Sequence, residues 1–307
     1  MTVWRLQTLT GEHSQNNIGQ FCLKNNVIAM GWSLETDTRK QLLYKSPIPT
    51  IEEYKAMLAK DRNSDKLPKS VKVFLEVAPD DIVWMRSQGL YYFCRIDKNV
   101  YWKYDSNDDV HQIDACNQWA NVKWITAGDE SSVPGAVSTA FIRGMACQRI
   151  WKEGMEEYSQ NLYNQKVKNV YSVTVIKNHD TFYNYLNPSE CEDLLALWLN
   201  YKYGYIVVPS TNKRSTELYE FVLIQPTTGE KAFIQVKKGN IDLNKDDFID
   251  ISSDGEVWLM TTQGGFSGNG NVRIHEINNR ELYDFAMDLN NVNYLSEGIK
   301  RWVDLIR

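Results

Sequence analysis

Apolar and polar positions alternate along VWRLQT (3 to 8), the period-two pattern of a strand with one buried face. NNVIAMGWS (25 to 33) is a short apolar run that ends at Gly31-Trp32. DDIVWMRS (80 to 87), LYYFCRID (90 to 97) and VYWKYD (100 to 105) follow as closely spaced strands. Gln88-Gly89 and Lys98-Asn99 mark the turns between them. NVKWI (121 to 125) reads as a further strand. Apolar spacing becomes helical over Ile51 to Asp61, where Glu52 and Glu53 suit a helix start. The first half therefore predicts a small, curved β-barrel with one or two helices.

From Gly135 to Tyr163 the pattern turns helical, as one helix or two, and a mixed stretch from Asn164 to Pro188 leads into a second unit. SECEDLLALWLNYKYGY opens that unit as a helix with Leu194, Leu195, Trp198 and Leu199 on one face. Ser189 has the chemistry of an N-cap, and Glu192 stands three residues on, the capping-box spacing. Strands are expected at YIVVPS (205 to 210), YEFVLIQ (219 to 225), KAFIQVK (231 to 237) and EVWLMTT (256 to 262). Pro226 to Gly229 forms the hairpin turn between the middle two. RELYDFAMDL and SEGIKRWVDLI close the chain as helices. Helix, strands and helix on a mixed sheet make an α/β layer. The expected plan is α+β overall: a barrel domain over 1–150, a helical linker over 151–184 and a mixed-sheet domain flanked by helices over 185–307.

Composition narrows the classes of partner. A chain of 307 residues is comfortable for two domains. A formal net charge of −5 excludes a uniformly basic coat for nucleic acid, while leaving room for a local basic groove. Ten Trp and 17 Tyr supply large cores or stacking surfaces. MTVWRLQTLT lacks the apolar core of a signal peptide, and no apolar run reaches the ~18 residues of a membrane span. Five dispersed cysteines without CxxC spacing read as reduced thiols, so a cytoplasmic location is expected. Four scattered histidines lack zinc-ligand spacing.

The sharpest chemistry lies in GEKAFIQVKKGN (229 to 240). Strand side chains alternate faces, so Gln235 and Lys237 point together, opposite Ala232, Ile234 and Val236. The tight turn makes this strand an antiparallel neighbour of the one beginning at Glu220, which can meet both. Glu192 lies on the side of Leu195 and Leu199 by helical spacing and can face the same place. A carboxylate and an amide oxygen are hard ligands suited to Mg²⁺, with Mn²⁺ able to substitute. A lysine beside the ion can orient or deprotonate a water and offset transition-state charge. The plainer alternative is a solvent-facing strand end, with Glu220 in a cross-strand ion pair and Glu192 as a capping residue.

The run E-D-L-L-A-L-W-L…Y-E-F-V-L-I…G-E-K-A-F-I-Q-V-K resembles the PD-(D/E)XK nuclease superfamily, and most its Mrr-like restriction endonuclease branch, over about residues 185 to 290. Glu192 matches the helix acid, Glu220 the strand acid and Gln235-Val236-Lys237 the last motif. Glu220 stands where Asp is commoner, and Gln235 where many members carry a carboxylate, although the Mrr-like branch often has glutamine there. The resemblance implies a Mg²⁺-dependent deoxyribonuclease, with Glu220, Gln235 and the Val236 carbonyl at the metal. It also implies double-stranded DNA as substrate, and cutting both strands implies a homodimer or larger homo-oligomer. Lys213, Arg214 and Lys238 are candidate phosphate contacts. GGFSGNGN (264 to 271) lacks the Lys-Ser/Thr of a P-loop and reads as a flexible loop.

Trp4, Gly31-Trp32, Asp80-Asp81-Ile82-Val83-Trp84 and Asn121 to Trp124 resemble the EVE/PUA-like superfamily over residues 1 to 150. Asp80 stands in place of the glycine in a "G-D-x-V" turn. Several members of that superfamily bind modified bases in DNA or RNA. Reading a flipped base needs aromatic walls and a few edge-directed hydrogen bonds. Trp4, Trp32 and Trp84 are candidate walls, with Arg5, Ser33 and Asp81 as candidate rim groups; the alternative is that the tryptophans are barrel core. Together the two halves imply a restriction enzyme whose first half either selects DNA carrying a modified base or simply holds the duplex. The competing reading is a catalytically inactive protein that binds modified DNA or RNA on a nuclease-like scaffold.

Overall fold

The computed structural model describes residues 1–8, 18–35, 50–64, 66–142, 144–175, 178–211 and 218–307. The chain divides into two compact units, Met1–Ser172 and Val173–Arg307. The segment expected as a linker, 151–184, contains two helices. Met155–Lys166 is counted in the first unit and His179–Tyr185 in the second.

In the first unit, strands β1 (Val3–Leu6), β3 (Ile82–Ser87), β4 (Leu90–Arg95), β7 (Ile125–Gly128) and β8 (Cys147–Arg149) form one sheet, and β2 (Val27–Met30), β5 (Tyr101–Tyr104) and β6 (Asn117–Ala120) another. Their orders are β7-β4-β3-β1-β8 and β2-β6-β5. Among the described residues of this unit, only β1 and β3 pair in parallel. The expected barrel is corrected here: among the described residues neither sheet closes on itself. Closure needs the two edge strands to pair, and β7 and the three-residue β8 remain edges of their sheet. The sheets instead share a core. Trp4, Leu6, Val83 and Cys94 from the first meet Val27, Ile28, Met30 and Ala120 from the second, with Tyr54 and Phe74 from helices.

Local signals hold where they are strong. Helix Ile51–Asp61 forms as expected and adds a capping box between Thr50 and Glu53. Gln88 and Gly89 both adopt positive φ, 51° and 79°, the type I′ geometry that suits a tight hairpin between β3 and β4. Two expectations change. NVKWI is not one strand: Asn121, at φ 67°, ends β6, and β7 begins only at Ile125. Strands β4 and β5, joined through Lys98-Asn99, enter different sheets instead of pairing.

In the second unit, strands β9 (Ile206–Val207), β10 (Phe221–Ile224), β11 (Lys231–Lys237), β13 (Glu256–Thr261) and β15 (Ile274–Glu276) form a sheet in the order β15-β13-β11-β10-β9. It is mixed: β9, β10 and β11 run antiparallel in turn, while β11, β13 and β15 are parallel. Strands β12 (Leu243–Asn244) and β14 (Phe266–Ser267) form a separate parallel pair. The helix Pro188–Tyr203 covers one sheet face, where Trp198 meets Trp258, the register partner of Ile234. On the other face Phe233, Val257 and Leu259 pack with Leu243 and Phe248. The glycine-rich segment carries β14 and is tied down: Asp242 accepts from Gly265 N–H, and Asp246 accepts from Asn269 and Gly270. At Gly268, φ 76°, a Cβ would meet Asn244 Oδ1 at 2.3 Å, so this position admits little but glycine.

Candidate functional site

The helix that carries Glu192 starts earlier than its sequence suggests. Asn187 is the N-cap, Pro188 stands in the first turn, and the capping box joins Asn187 to Glu190. Ser189 is therefore not the cap and Glu192 not its partner. Asn ranks above Ser only slightly as a cap, but proline is pre-set for the first helical position, and the Asn-Pro pair decides the start. Glu190 is buried and also accepts from the indole of Trp302 at 3.4 Å, which ties this helix end to the C-terminal helix Glu297–Ile306.

Released from capping, Glu192 sits half-buried in the second turn. Burial pushes its carboxyl up to about 7; the negative charges of Glu220 and Asp193 push the same way, and Lys237 opposes them. The charges of both Glu220 and Lys237 therefore act on Glu192.

Glu220 stands just before β10, and its N–H donates to the Ile234 carbonyl at 2.7 Å. The register Phe221 to Ile234, continued by one step, sets Glu220 across from Gln235. Lys237 Nζ lies 3.6 Å from Glu220 Oε1, with both side chains partly exposed. Gln235 is only 5% exposed, and its amide finds no hydrogen-bond partner among the described residues. Carbonyls along a strand alternate sides. The Val236 carbonyl thus points to the same side as that of Ile234, beyond the point where β10 ends its ladder. Strand β11 grades from core to surface along one face: Phe233 against Tyr219, then the buried amide of Gln235, then the ammonium of Lys237.

These donors fit a hard cation. A carboxylate, an unpartnered buried amide and a carbonyl free of the β10 ladder are all oxygen ligands. Among the described residues no three His, Cys, Asp or Glu side chains form a ligand group, so the set has one carboxylate, Glu220, with Glu192 nearby. Lys238 is committed elsewhere: its Nζ donates to the backbone carbonyls of Asn184, at 2.9 Å, and of Leu186, and so holds the end of helix His179–Tyr185. Lys213 and Arg214 lie outside the described residues.

The three tryptophans of the first unit do not come together. Trp4 is in register with Val83, and Trp84 with Arg5, so Trp4 and Trp84 lie on opposite faces of the sheet. Trp84 is fully buried and donates to Ser159 Oγ at 3.1 Å. Trp4 is 6% exposed and donates to Asp81, which also accepts from the N–H groups of Thr2 and Ala78. Arg5 is buried between Gln7 and Gln148, and Ser33 bonds to Asp114 and Cys116. Trp32 differs. It is half-buried, at φ 64°, donates to Ser70 at 2.8 Å and carries the Arg62 guanidinium 4.6 Å from its ring centroid. A bulky residue at positive φ is strained and persists only where its surroundings hold it. Here Tyr54 and Asn117 both bond to the Trp32 carbonyl.

The signal missed in the sequence was Asn187-Pro188, which marks the helix start. Alternation along the strand already separates Lys238 from Lys237; what Lys238 meets, the end of helix His179–Tyr185, is not local. Comparison with protein-family models, with curated proteins and with solved structures finds no match.

Proposed function

We propose that this protein is a Mg²⁺-dependent DNA endonuclease of restriction type, with a PD-(D/E)XK, Mrr-like catalytic half and an EVE/PUA-like half that recognises modified bases. The observation that carries this reading is the gathering of Glu192, Glu220, Gln235 and Lys237 at the end of β11. Glu220, Gln235 and the Val236 carbonyl would hold Mg²⁺ (or Mn²⁺), which supplies charge neutralisation at the scissile phosphate when bound. Lys237 orients the attacking water and stabilises the charge that grows on the phosphoryl oxygens. Glu192, with a carboxyl near neutrality, is suited to take the proton that the water gives up. In the first unit Trp32 is the base-stacking candidate, because it alone of the three tryptophans combines partial exposure with backbone strain. A homodimer in the cytoplasm, cutting both strands of a duplex, completes the reading.

One observation favours a second reading, a binding protein without catalysis: the absence of a three-residue acidic ligand group among the described residues. Plasmid DNA with Mg²⁺ separates the two. Cleavage is expected, with Lys237→Ala and Glu220→Ala each slowing it by about 10²-fold or more while circular dichroism and DNA binding stay unchanged. Wild-type rates in Lys237→Ala would sink the assignment. Tight binding without cleavage in either Mg²⁺ or Mn²⁺ would establish the second reading. Equal binding to unmodified DNA, 5-methylcytosine DNA, hydroxymethylcytosine DNA and RNA would remove the modified-base reader.

A further inference from the structure

The helix Ile51–Asp61 meets Trp32 twice. Tyr54, near its start, donates through its hydroxyl to the Trp32 carbonyl at 3.0 Å. Arg62, its C-cap, lays its guanidinium 4.6 Å from the Trp32 ring centroid. The tryptophan itself is held in place. Asn117 Nδ2 donates to the Gly31 carbonyl at 2.7 Å, and the indole N–H donates to Ser70 Oγ at 2.8 Å, which fixes the orientation of the ring. The Arg62 backbone is fixed as well, its N–H donating to the Leu58 carbonyl at 3.1 Å. Its side chain is not. Arg62 is exposed, and among the described residues its guanidinium meets the Trp32 ring and no hydrogen-bond acceptor. Other arginines that lie over aromatic rings differ. Arg86, Arg95, Arg149 and Arg280 each cover a ring and also bond to a carboxylate. On those four the ring contact accompanies an ion pair; on Arg62 it stands in place of one.

We infer that Arg62 is the phosphate contact of the Trp32 site: it rests on the ring in the unliganded protein and moves onto the phosphate beside a base that stacks there. This role rests on the reading of Trp32 as a base-stacking residue. An exposed cation–π contact is weaker than the stack of a base on an aromatic ring, so an arriving base takes the ring face. The displaced guanidinium stays tethered at the helix end, beside the ring it has left. Its donors form a planar fork that matches phosphate oxygens. A nucleotide joins a flat ring to an anion, the two features that this pair receives. Such a phosphate contact fixes position and carries no sequence information, so the choice of base stays with the stacking site.

Titration of the full chain with a short single strand bearing a central 5-methylcytosine tests it, beside the same strand with an abasic centre, each over a range of salt. Fluorescence anisotropy gives the affinity, and the Trp32 indole ¹H–¹⁵N resonance reports stacking. The 5-methylcytosine strand is expected to bind more tightly than the abasic one and to shift that resonance. Arg62→Ala should weaken its binding about tenfold and lower the slope of log affinity against log salt by ~0.7, the share of one single-strand phosphate, at an unchanged melting temperature. Arg62→Lys should restore the slope but only part of the affinity, because an ammonium lacks the fork. The uncharged nucleoside 5-methyl-2′-deoxycytidine should shift the Trp32 resonance at lower concentration in Arg62→Ala than in the wild type, since the cover is gone. Wild-type affinity and slope in Arg62→Ala, with Trp32 still responding, would overturn the role of Arg62 and leave the stacking reading standing. A Trp32 resonance that neither the strand nor the nucleoside moves would remove both. Tighter binding of a Glu-Tyr-Glu peptide than of the strand would assign the pair to a protein partner and sink the phosphate contact.

Discussion

Glu192 is a carboxyl whose protonation answers to three neighbours. Its folded value of about 7 lies above the usual 4.5, through burial first and then the charges of Glu220 and Asp193. A group raised in the folded state favours folding at pH below its unfolded value, and this contribution is lost as pH rises through the folded one. In metal-free buffer, stability should therefore fall between about pH 4.5 and 7, and Glu192→Gln should flatten that slope in urea titrations run at a series of pH values. An unchanged slope would show that Glu192 does not feel the site. The tryptophans divide by environment in the same way. Trp84→Ala should cost about 3–5 kcal/mol in denaturant unfolding, because a fully buried indole leaves a cavity and an unpaired Ser159. Trp32→Ala should leave most of the stability and reduce nucleic-acid binding. Asp80, at φ 71°, takes the left-handed backbone that a glycine would adopt, and its carboxylate pairs with Arg95. Its unusual place in the turn motif was legible in the sequence; its partner was not.

At the scale of elements, some periodic segments matched the structure to the residue, while others kept their type and moved their ends. Helix Ile51–Asp61 and strand Lys231–Lys237 have the predicted bounds, because both lie between clear turn or cap signals. The helix Pro188–Tyr203 has the predicted apolar face and a different cap. Asn187→Ala should thus lower stability by about 1 kcal/mol, and Ser189→Ala should be nearly neutral, as thermal melts of the two variants would show. The opposite ranking would restore the Ser189 cap. YIVVPS shrinks to Ile206–Val207 because Pro209 starts a 3₁₀ turn. NVKWI gives only Ile125 to a strand: β6 ends at Ala120, just before the left-handed Asn121, and β7 begins at Ile125, a backbone choice that β-propensity does not report. Gln235 and Lys237 share a face through strand alternation, which is a local rule. The 5% exposure of Gln235 is not local, since it depends on what covers that face.

At the scale of the molecule, each unit carries its own buried cluster, one around Met30 and Phe74 and one around Phe233 and Phe248. A fragment of residues 173–307 should therefore melt cooperatively by itself, and a broad, non-cooperative transition would contradict that. The alternation and helical periods by themselves determined a mixed α+β chain, the order of most elements, the hairpin that puts Glu220 beside the end of β11, and the residue types able to hold a hard cation. They could do so because period, turn and cap are properties of a few neighbouring residues. Only the tertiary structure decided that the first half forms two separate sheets, neither of which closes into a barrel among the described residues. It alone placed Trp4 and Trp84 on opposite faces, turned Lys238 onto a helix end, and brought Glu192 into the field of Lys237. Each of these depends on which strand pairs with which and on what packs over each face, and those contacts join residues far apart in the chain.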